Sequence, residues 1–296
     1  MNDDELRDWL KAGGIASRAR ELGAGMVEEG VAYLEVAEAV EEFIIESGGG
    51  VAFPTNIAVN DIAAHYTPRT NDKLRFRYGD LVKVDVGAEV GGAVGDTAVT
   101  VEVGSNVYSD LIEASRRALA SVTEVIRGGI TLSTIGSIVE RTMNTLGFRP
   151  IINLTGHSIE RYNLHAGLSV PNYDDRSNTA IREGTVVAIE PFSTTGLGEV
   201  TSGKRSNIYR FLRRRKHLKE DQLVLLEMIE RKNSRLPFSE RTVTREFRKG
   251  SKLLNGLVKA QSVYSYPILR EISGGMVAQT EHTFLVTEKG CRVLTK

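Results

Sequence analysis

The chain of 296 residues carries 38 Lys or Arg and 38 Asp or Glu, so its formal net charge is zero, and 41% of its residues are hydrophobic. These values are typical of a soluble globular protein of one or two domains, and no stretch approaches the roughly 18 apolar residues of a membrane span. A single cysteine, Cys291, excludes an internal disulfide framework. Because the N-terminal stretch is acidic and amphipathic, unlike a signal or transit peptide, we expect a cytoplasmic protein.

The first segment in chain order predicts two helices and then an extended run. Apolar residues recur at three- and four-residue spacing over residues 3–22 and 32–47, and a run of three glycines stops the second helix. Residues 51–68 alternate between short extended stretches and turn residues, and they contain Phe53 and His65.

Residues 81–101, LVKVDVGAEVGGAVGDTAVTV, predict a β-hairpin closed by a Gly-bearing turn. A symmetric hairpin centred between Val90 and Gly91 would set Asp85 and Asp96 opposite each other. Like charges about 5 Å apart destabilise a sheet, so a positive group should lie between them. Two divalent cations about 3.5–4 Å apart would fit that gap. Two solvated turn aspartates are the alternative that this hairpin leaves open.

The remainder of the chain repeats the order of helices followed by strands. Helices are predicted over residues 109–127 and 131–146, and extended runs over residues 150–154, 185–192, 276–286 and 291–295. This repetition suggests two similar halves, roughly residues 1–140 and 141–296 without the basic segment described next. Helices mixed with largely antiparallel strands predict an α+β fold.

The zero net charge conceals a basic segment. Residues 203–270 contain 18 Lys or Arg and 6 Asp or Glu, so the rest of the chain is acidic by the same margin. We therefore predict a body of residues 1–202 plus 271–296 and a basic helical insertion subdomain of residues 203–270. Its first part, Lys204–Lys219, holds eight basic and no acidic residues. Three short helices are predicted beyond it, over residues 220–232, 239–249 and 252–261.

Several polar residues do not fit an ordinary core. Glu190 lies in VVAIEPF, a run apolar enough to be buried on both faces, where a carboxylate is costly unless it is paired or bound to metal. Glu281, His157, His165 and His65 each have an ordinary alternative, as a surface carboxylate or a hydrogen-bonded loop histidine. Taken together, two Asp, two Glu and one His form an oxygen-rich set suited to Mn, Fe, Co or Zn and to hydrolysis on a metal pair.

Five segments of the chain resemble, in order, the active-site segments of methionine aminopeptidases of the pita-bread fold. They are IAVNDIAAHYTP, VKVDVGAEVGGAVGDTAVTV, TGHSIERYNLHAG, VVAIEPF and AQTEHTFLV, and the resemblance covers nearly the whole chain. It implies a pita-bread fold with two pseudo-symmetric halves and a winged-helix-like insertion. It also implies a metallo-exopeptidase that removes the initiator methionine from nascent proteins and peptides when the next residue is small.

The resemblance further implies two divalent metal ions per chain (Co, Mn, Fe or Zn) and a role for each site residue. One ion would be held by Asp85, Asp96 and Glu281, and the other by Asp96, His157, Glu190 and Glu281. Glu190 would also act as general base, while His65 and His165 would position the scissile peptide and stabilise its tetrahedral intermediate. The implied lining of the pocket for the methionine side chain is Phe53, Leu164 and Phe192.

Two features indicate the subtype within this family. Glu281 follows Glu190 by 91 positions, and the basic segment fills that gap. A long helical insertion there is the mark of the type 2 enzymes, and His157 and His165 have the eight-residue spacing of that type. The chain lacks the long charged N-terminal extension of eukaryotic type 2 proteins, so it is similar to the archaeal form.

Two other functions are weighed against the aminopeptidase. Xaa-Pro peptidases share the fold but usually carry a separate N-terminal domain, for which the roughly 50 residues ahead of Phe53 leave no room. Non-catalytic binding proteins of this fold lose metal ligands, whereas all five are present here. As partners we expect nascent polypeptide N-termini and no membrane, and the protein should be a monomer. The stretch Lys204–Lys219 is either a solvated surface or a ribosome contact in which Arg213, Arg214 and Arg215 face ribosomal RNA phosphates.

Overall fold

A computed structural model describes residues 2–296 of the chain. Within them lie seven helices: α1 Asp3–Gly25, α2 Tyr33–Glu46, α3 Ser109–Thr123, α4 Leu132–Thr145, α5 Glu220–Asn233, α6 Glu240–Glu246 and α7 Gly250–Lys259. Helix α1 begins at a capping box, in which the Asn2 side chain accepts from the backbone N–H of Glu5 and the Glu5 carboxylate accepts from that of Asn2. None of the helices in residues 2–296 is both long and apolar enough to span a bilayer.

The strands form four small sheets. Their bounds are β1 Gly50–Val59, β2 Ile62–Ala64, β3 Leu81–Val90, β4 Ala93–Glu102, β5 Arg149–Pro150, β6 Thr155–Ile159, β7 Ser169–Pro171, β8 Val186–Ile189, β9 Phe192–Thr194, β10 Val200–Phe211, β11 Phe238–Ser239, β12 Val263–Glu271, β13 Val277–Gln279, β14 His282–Val286 and β15 Cys291–Val293. The strand orders are β1-β3-β4, β11-β10-β12-β2, β13-β9-β5 and β15-β14-β8-β6-β7. Every strand pair is antiparallel, so the predicted α+β class is confirmed.

The predicted hairpin is present, but its register differs from the expected one. Gly91 and Gly92 have φ angles of 56° and 85°, as a two-residue type I′ turn requires, so the hairpin is centred between them. Asp96 therefore faces Gly87, and Asp85 faces Ala98. The prediction that the two aspartates lie directly opposite each other was wrong, because each of them faces a residue two positions away from the other aspartate. They remain on one face of the sheet as diagonal neighbours on adjacent strands, where such residues lie roughly 7–8 Å apart.

Two helix-on-sheet layers form the body. Helices α1 and α2 bury their apolar faces against β1 and β3 in a core that runs from Ile15 to Val103. Helices α3 and α4 do the same against β8 and β14 in a second core that begins at Ala114 and ends in Val286. Two similar halves are thus present, but α3 packs with the second one. The expected boundary near residue 140 was wrong, because the chain crosses from one half to the other between β4 and α3.

Backbone and hydroxyl hydrogen bonds join the two halves along one seam. The backbone N–H of Glu281 donates to the carbonyl of Ala98 at 3.0 Å, and the reverse bond measures 3.4 Å. The Thr283 hydroxyl accepts from the backbone N–H of Asp96 at 2.8 Å and donates to the Asp96 carbonyl at 2.7 Å. The seam therefore places β4 of the first half against the start of β14 in the second.

The basic segment folds around its own apolar cluster. Helices α5, α6 and α7 confirm the predicted three-helix pattern and surround Leu226, Ile229 and Leu254. The long strand pair β10–β12 that carries them was not predicted, because the first half of β10 is polar and exposed and shows no alternation of apolar residues. The proposed limits at residues 203 and 270 fall inside these two strands.

A buried ion pair ties this insertion to helix α2. The guanidinium of Arg241, which is 1% exposed, contacts the Glu41 carboxylate and the carbonyl of Pro68, and donates to the Thr67 hydroxyl at 2.8 Å. A second ion pair, Arg245 of helix α6 with Glu38 of helix α2, joins the same two helices as the Arg241–Glu41 pair, but at the exposed surface.

We expect Arg241→Ala to lower the free energy of unfolding by about 3–5 kcal/mol, because it leaves the buried Glu41 carboxylate without its partner. The matched control, Arg245→Ala, should cost less than about 1 kcal/mol, since an exposed pair contributes little. Urea titration of the two variants measures the difference. Equal losses would mean that Arg241 does not anchor the insertion.

Candidate metal centre

A cavity of about 70 Å³ lies between the two halves and is covered by the insertion. All seven residues predicted as metal ligands or substrate-positioning histidines line it: His65, Asp85, Asp96, His157, His165, Glu190 and Glu281. The other lining residues are Phe53, Asn56, Ala64, Leu164, Ile208, Pro237 and Tyr266. The structure therefore gathers residues from distant parts of the sequence at one point.

Five backbone elements present the acidic residues and His157. Asp85 lies on β3, Asp96 on β4 and His157 on β6, while Glu190 follows the last residue of β8. Glu281 immediately precedes β14 and is held by the seam against Ala98. Strand pairing fixes the backbone of Asp85, Asp96, His157 and Glu281, and Glu190 directly follows a paired strand, so the side chains converge from an ordered framework.

Three of these side chains already have the spacing of groups that could bind one metal ion together. One atom each from Asp96, His157 and Glu281 lie within 4.8 Å of one another. The His157 Nε2 atom lies 3.5 Å from Asp96 Oδ2 and 3.9 Å from Glu190 Oε1. Across residues 2–296, no hydrogen-bond donor reaches the buried Oδ1 atom of Asp85. A buried carboxylate oxygen without a donor is unusual and needs a positive partner.

The electrostatic environment also favours a bound cation. Burial, the largest cause, raises the pKa of Asp85 to about 7. Burial and then the Asp85 charge raise the pKa of Asp96 well above its usual range. The pKa values of Glu190 and Glu281 are raised by burial first and by the charge of Asp96 second. Like charges this close cannot all ionise alone, whereas a divalent ion would hold all four groups as carboxylates.

Burial also keeps the site histidines neutral. It lowers the pKa of His157 to about 4, and that of His65 to about 4, against a usual value near 6.5. The pKa of His165 falls to about 3, chiefly through burial and secondly through His157, whose ring centroid lies 4.4 Å away. Neutral imidazole is the form that binds a metal or exchanges hydrogen bonds with a peptide.

Sequence reasoning missed Gln279, which is 1% exposed and supports two of the carboxylates. Its amide nitrogen lies 3.1 Å from Glu281 Oε2 and 3.3 Å from Glu190 Oε2, and donates to both. Its backbone is fixed by the Thr100 hydroxyl, which accepts from its N–H at 2.8 Å and donates to its carbonyl at 2.7 Å. The signal was present in AQTEHTFLV, because alternation puts Gln279 on the same face as Glu281.

The apolar wall of the cavity differs in part from the expected one. Phe53 and Leu164 line the cavity as expected, and the Phe53 ring lies so close to Gly87 that a Cβ there would be 2.2 Å from it. Phe192 does not line it, because the chain leaves its sheet after Ile189 and Phe192 begins β9, which belongs to another sheet. Its side chain packs instead in a separate cluster with Ala63, Ile151 and Val277.

Two further wall residues, Ile208 and Pro237, come from the basic segment and were not predicted. Their sequence contexts are those of ordinary core and turn residues, so nothing in the sequence marked them. Tyr266, from β12, completes this side of the cavity. The insertion thus forms part of the site as well as covering it.

Comparison with known proteins identifies relatives of the whole chain. The sequence profile of metallopeptidase family M24 matches residues 8–288. A methionine aminopeptidase from Methanocaldococcus jannaschii is 46% identical over 288 residues, which cover 97% of each chain.

Solved structures share the fold. A methionine aminopeptidase from Thermotoga maritima superposes with a TM-score of 0.74 at 24% identity, over 100% of this chain and 98% of that one. A thermophilic Arx1 superposes with a TM-score of 0.88 at 16% identity, over 99% and 91%. At these identities the likeness concerns the fold alone, and it confirms the pita-bread architecture.

We expect Asp85→Asn to leave the metal-free protein at least as stable as the parent, because it removes one charge from the buried cluster. A carboxyl group whose pKa is raised on folding stabilises the protein below about pH 4, and that contribution is lost as the pH rises through about 7. The variant should therefore gain about 1–3 kcal/mol over the parent at pH 8 and almost nothing at pH 4.

Urea unfolding in the presence of a chelator at both pH values measures this gain. Glu288→Gln, which removes a charge at an exposed site, is the control and should change stability at neither pH. A large loss of stability in Asp85→Asn at pH 8 would mean that Asp85 has a structural role.

Proposed function

The chain belongs to metallopeptidase family M24, and we infer that it is a methionine aminopeptidase, which removes N-terminal methionine from proteins and peptides when the next residue is small. The observation that carries this inference is the full-length identity of 42–46% to several methionine aminopeptidases. It is supported by the cavity, whose lining combines buried carboxylates with an apolar wall. Carboxylates can bind the free amino group that an exopeptidase recognises at the end of its substrate.

We propose that five residues hold two divalent ions. One ion would bind Asp85, Asp96 and Glu281, and the other Asp96, His157, Glu190 and Glu281. The bridging role of Asp96 and Glu281 is supported by the seam, which sets both backbones side by side. The unpartnered oxygen of Asp85 and the oxygen-rich donor set fit hard or borderline ions such as Mn, Fe, Co or Zn. When bound, such ions would polarise the scissile carbonyl and lower the pKa of water.

Glu190 is the general base in this proposal. Glu190 lines the cavity beside the other candidate ligands, where a bound ion would hold it as a carboxylate that can accept a proton. The Gln279 amide orients the Glu190 carboxylate by donating to one oxygen and leaves the other facing His157 and the cavity. Glu190 would take a proton from the attacking water and return it to the leaving amine.

The two histidines differ in what they can offer the peptide. The Nδ1 atom of His65 lies 3.3 Å from the Pro267 carbonyl, which can only accept, so Nδ1 carries the proton and Nε2 is left as an acceptor. His65 can therefore accept from the peptide N–H. We assign to His165, which also borders the cavity, the donor that stabilises the oxyanion of the tetrahedral intermediate.

We assign the methionine side chain to the apolar wall formed by Phe53, Leu164, Ile208 and Pro237. Two of these residues come from the insertion, so the insertion would contribute directly to specificity. The same insertion supports assignment to the archaeal form of the type 2 enzymes, since it separates Glu190 from Glu281 and folds around its own core. Full-length relatives from archaea agree with that assignment.

A second proposal concerns where the enzyme meets its substrates. The stretch Lys204–Lys219 is basic, and Arg213 and Lys216 are exposed without an acidic partner among residues 2–296. We propose that they contact ribosomal RNA phosphates. Arg214 differs, because Glu227 and Glu230 already pair with it at 3.3 and 2.8 Å. A solvated surface without a partner is the alternative.

The aminopeptidase is tested by hydrolysis of Met-Gly-Met-Met, and of Met-Pro peptides, after chelator treatment and addition of Mn, Fe, Co or Zn. We expect metal to restore release of the first methionine. Glu190→Gln should lower kcat by a factor of about 10²–10⁴, because it removes the general base. Glu288→Gln is the control with the same change of charge at an exposed site.

Two outcomes would contradict this function. Failure of every metal to restore release would favour a binding protein on the same fold. Cleavage of Xaa-Pro peptides regardless of the first residue would favour an Xaa-Pro peptidase.

The ribosome contact is tested by co-sedimentation at several salt concentrations. We expect the double variant Arg213→Ala, Lys216→Ala to weaken binding and to reduce the slope of log K against log salt by about 2. Arg214→Ala should change the slope less, because its charge is already paired. Unchanged co-sedimentation of the double variant would leave the solvated surface as the correct interpretation.

A further inference from the structure

A second cavity, of about 250 Å³, continues from the metal centre towards the insertion. It shares four lining residues with the first cavity: Leu164, His165, Pro237 and Tyr266. A third cavity, beside helix α2, shares only Pro237 with the first. We call the second one the exit cavity, because a peptide whose N-terminus is held among the buried ligands can leave the site past these four shared residues.

The exit cavity has a distinct charge. Its remaining lining residues are Asn163, Arg210, Phe211, Leu212 and Arg235, so two arginines and no carboxylates face it. Over residues 2–296, neither guanidinium has an acidic group within ion-pair distance. Most arginines on a protein surface can find water instead, but the Nε atom of Arg210 is buried and has no hydrogen-bond partner.

Strand pairing fixes the backbone of Arg210, and its positive charge remains available to bind an anionic group. Arg210 pairs with Tyr264 in the β10–β12 register, and its guanidinium carbon lies 5.9 Å from the centroid of the Tyr264 ring. Such a contact orients the guanidinium plane without neutralising it. Arg235 is exposed, lies in the turn before β11 and also lines the exit cavity. The planar guanidinium is well suited to binding a carboxylate through two parallel hydrogen bonds.

We propose that Arg210 and Arg235 form a carboxylate subsite for the part of the peptide that follows the scissile bond. This proposal rests on the aminopeptidase function and adds a preference for acidic substrates to it. The carboxylate can come from an Asp or Glu side chain downstream of the cleaved bond, or from the C-terminus of a short peptide. Because the arginines are partly exposed, each contact should change kcat/KM by only a few-fold.

The experiment compares peptides that differ by one charge. Three pairs of C-terminally amidated pentapeptides begin with Met-Ala and carry either Glu or Gln at the third, fourth or fifth position. For at least one position, we expect kcat/KM for the Glu peptide to exceed that for the Gln peptide by about three- to tenfold at low salt. This ratio should fall towards one as salt is added, because the contact is electrostatic.

Two variants locate the effect. The double variant Arg210→Gln, Arg235→Gln should bring the Glu-to-Gln ratio close to one. The control, Arg248→Gln, removes an exposed arginine of the same insertion that lines none of the cavities named here, and it should keep the parental ratio. A merely structural role of Arg210 would lower both rates together and leave the ratio unchanged. That result, or a parental ratio of one at all three positions, would overturn the proposal.

Two further measurements distinguish the two possible sources of the carboxylate and test the subsite separately from the aminopeptidase function. Met-Ala-Gly as the free acid and as the amide tests the C-terminal carboxylate in the same way. Binding of the fluorescently labelled Glu and Gln pentapeptides to metal-free protein, followed by anisotropy, does not depend on catalysis. If binding favours Glu in the parent alone and no methionine is released with any metal, the subsite stands and the aminopeptidase function fails. If methionine is released without any Glu preference in rate or binding, the aminopeptidase function stands and the subsite fails.

Discussion

The site depends on the hydrogen-bonded seam between β4 and the start of β14. Reciprocal backbone bonds join Ala98 to Glu281, and the Thr283 hydroxyl both accepts from and donates to the backbone of Asp96. These bonds bring two carboxylates from opposite halves of the molecule together in a buried place where their charges repel. Without a cation that arrangement is unfavourable, as the raised pKa values of both groups indicate. Bound cations would turn the same repulsion into affinity, so the seam holds together a cluster of groups that could bind metal.

The insertion contributes to the lining of the candidate site as well as to the fold. Its strands β10 and β12 extend a sheet that begins with β2 of the body, and the buried pair of Arg241 with Glu41 fixes the other end. With both ends held, Ile208 and Pro237 close the apolar wall of the cavity. The proposed exit cavity is bordered by two arginines of the insertion, while the candidate metal ligands belong to the acidic body. A peptide would meet negative groups at its amino end and positive groups beyond it.

Much of this organisation could be predicted from the sequence, and the exceptions have identifiable causes. The helices of the body show clear 3.6-residue periodicity, so their placement agreed. The five segments with specific local contexts all contribute residues to one cavity, as the sequence led us to expect. The hairpin register was wrong because the midpoint between two aspartates was taken instead of the Gly-Gly turn that fixes it. Phe192 was misplaced because VVAIEPF was treated as one run, although Pro191 marks the end of the strand and Phe192 begins a strand of another sheet. Gln279 was overlooked although strand alternation places it on the same face as Glu281, because the sequence prediction was limited to residues that bind metal and left out the amide that donates to two of the carboxylates.

Anomalous diffraction from crystals of the Co- or Mn-loaded protein would show whether two ions share Asp96 and Glu281. We expect two anomalous peaks about 3.5–4 Å apart, each within bonding distance of both carboxylates. Asp85 should contact only one of them, and His157 only the other. A single peak held by Asp96, His157 and Glu281, with Asp85 still unpartnered, would contradict the two-ion site.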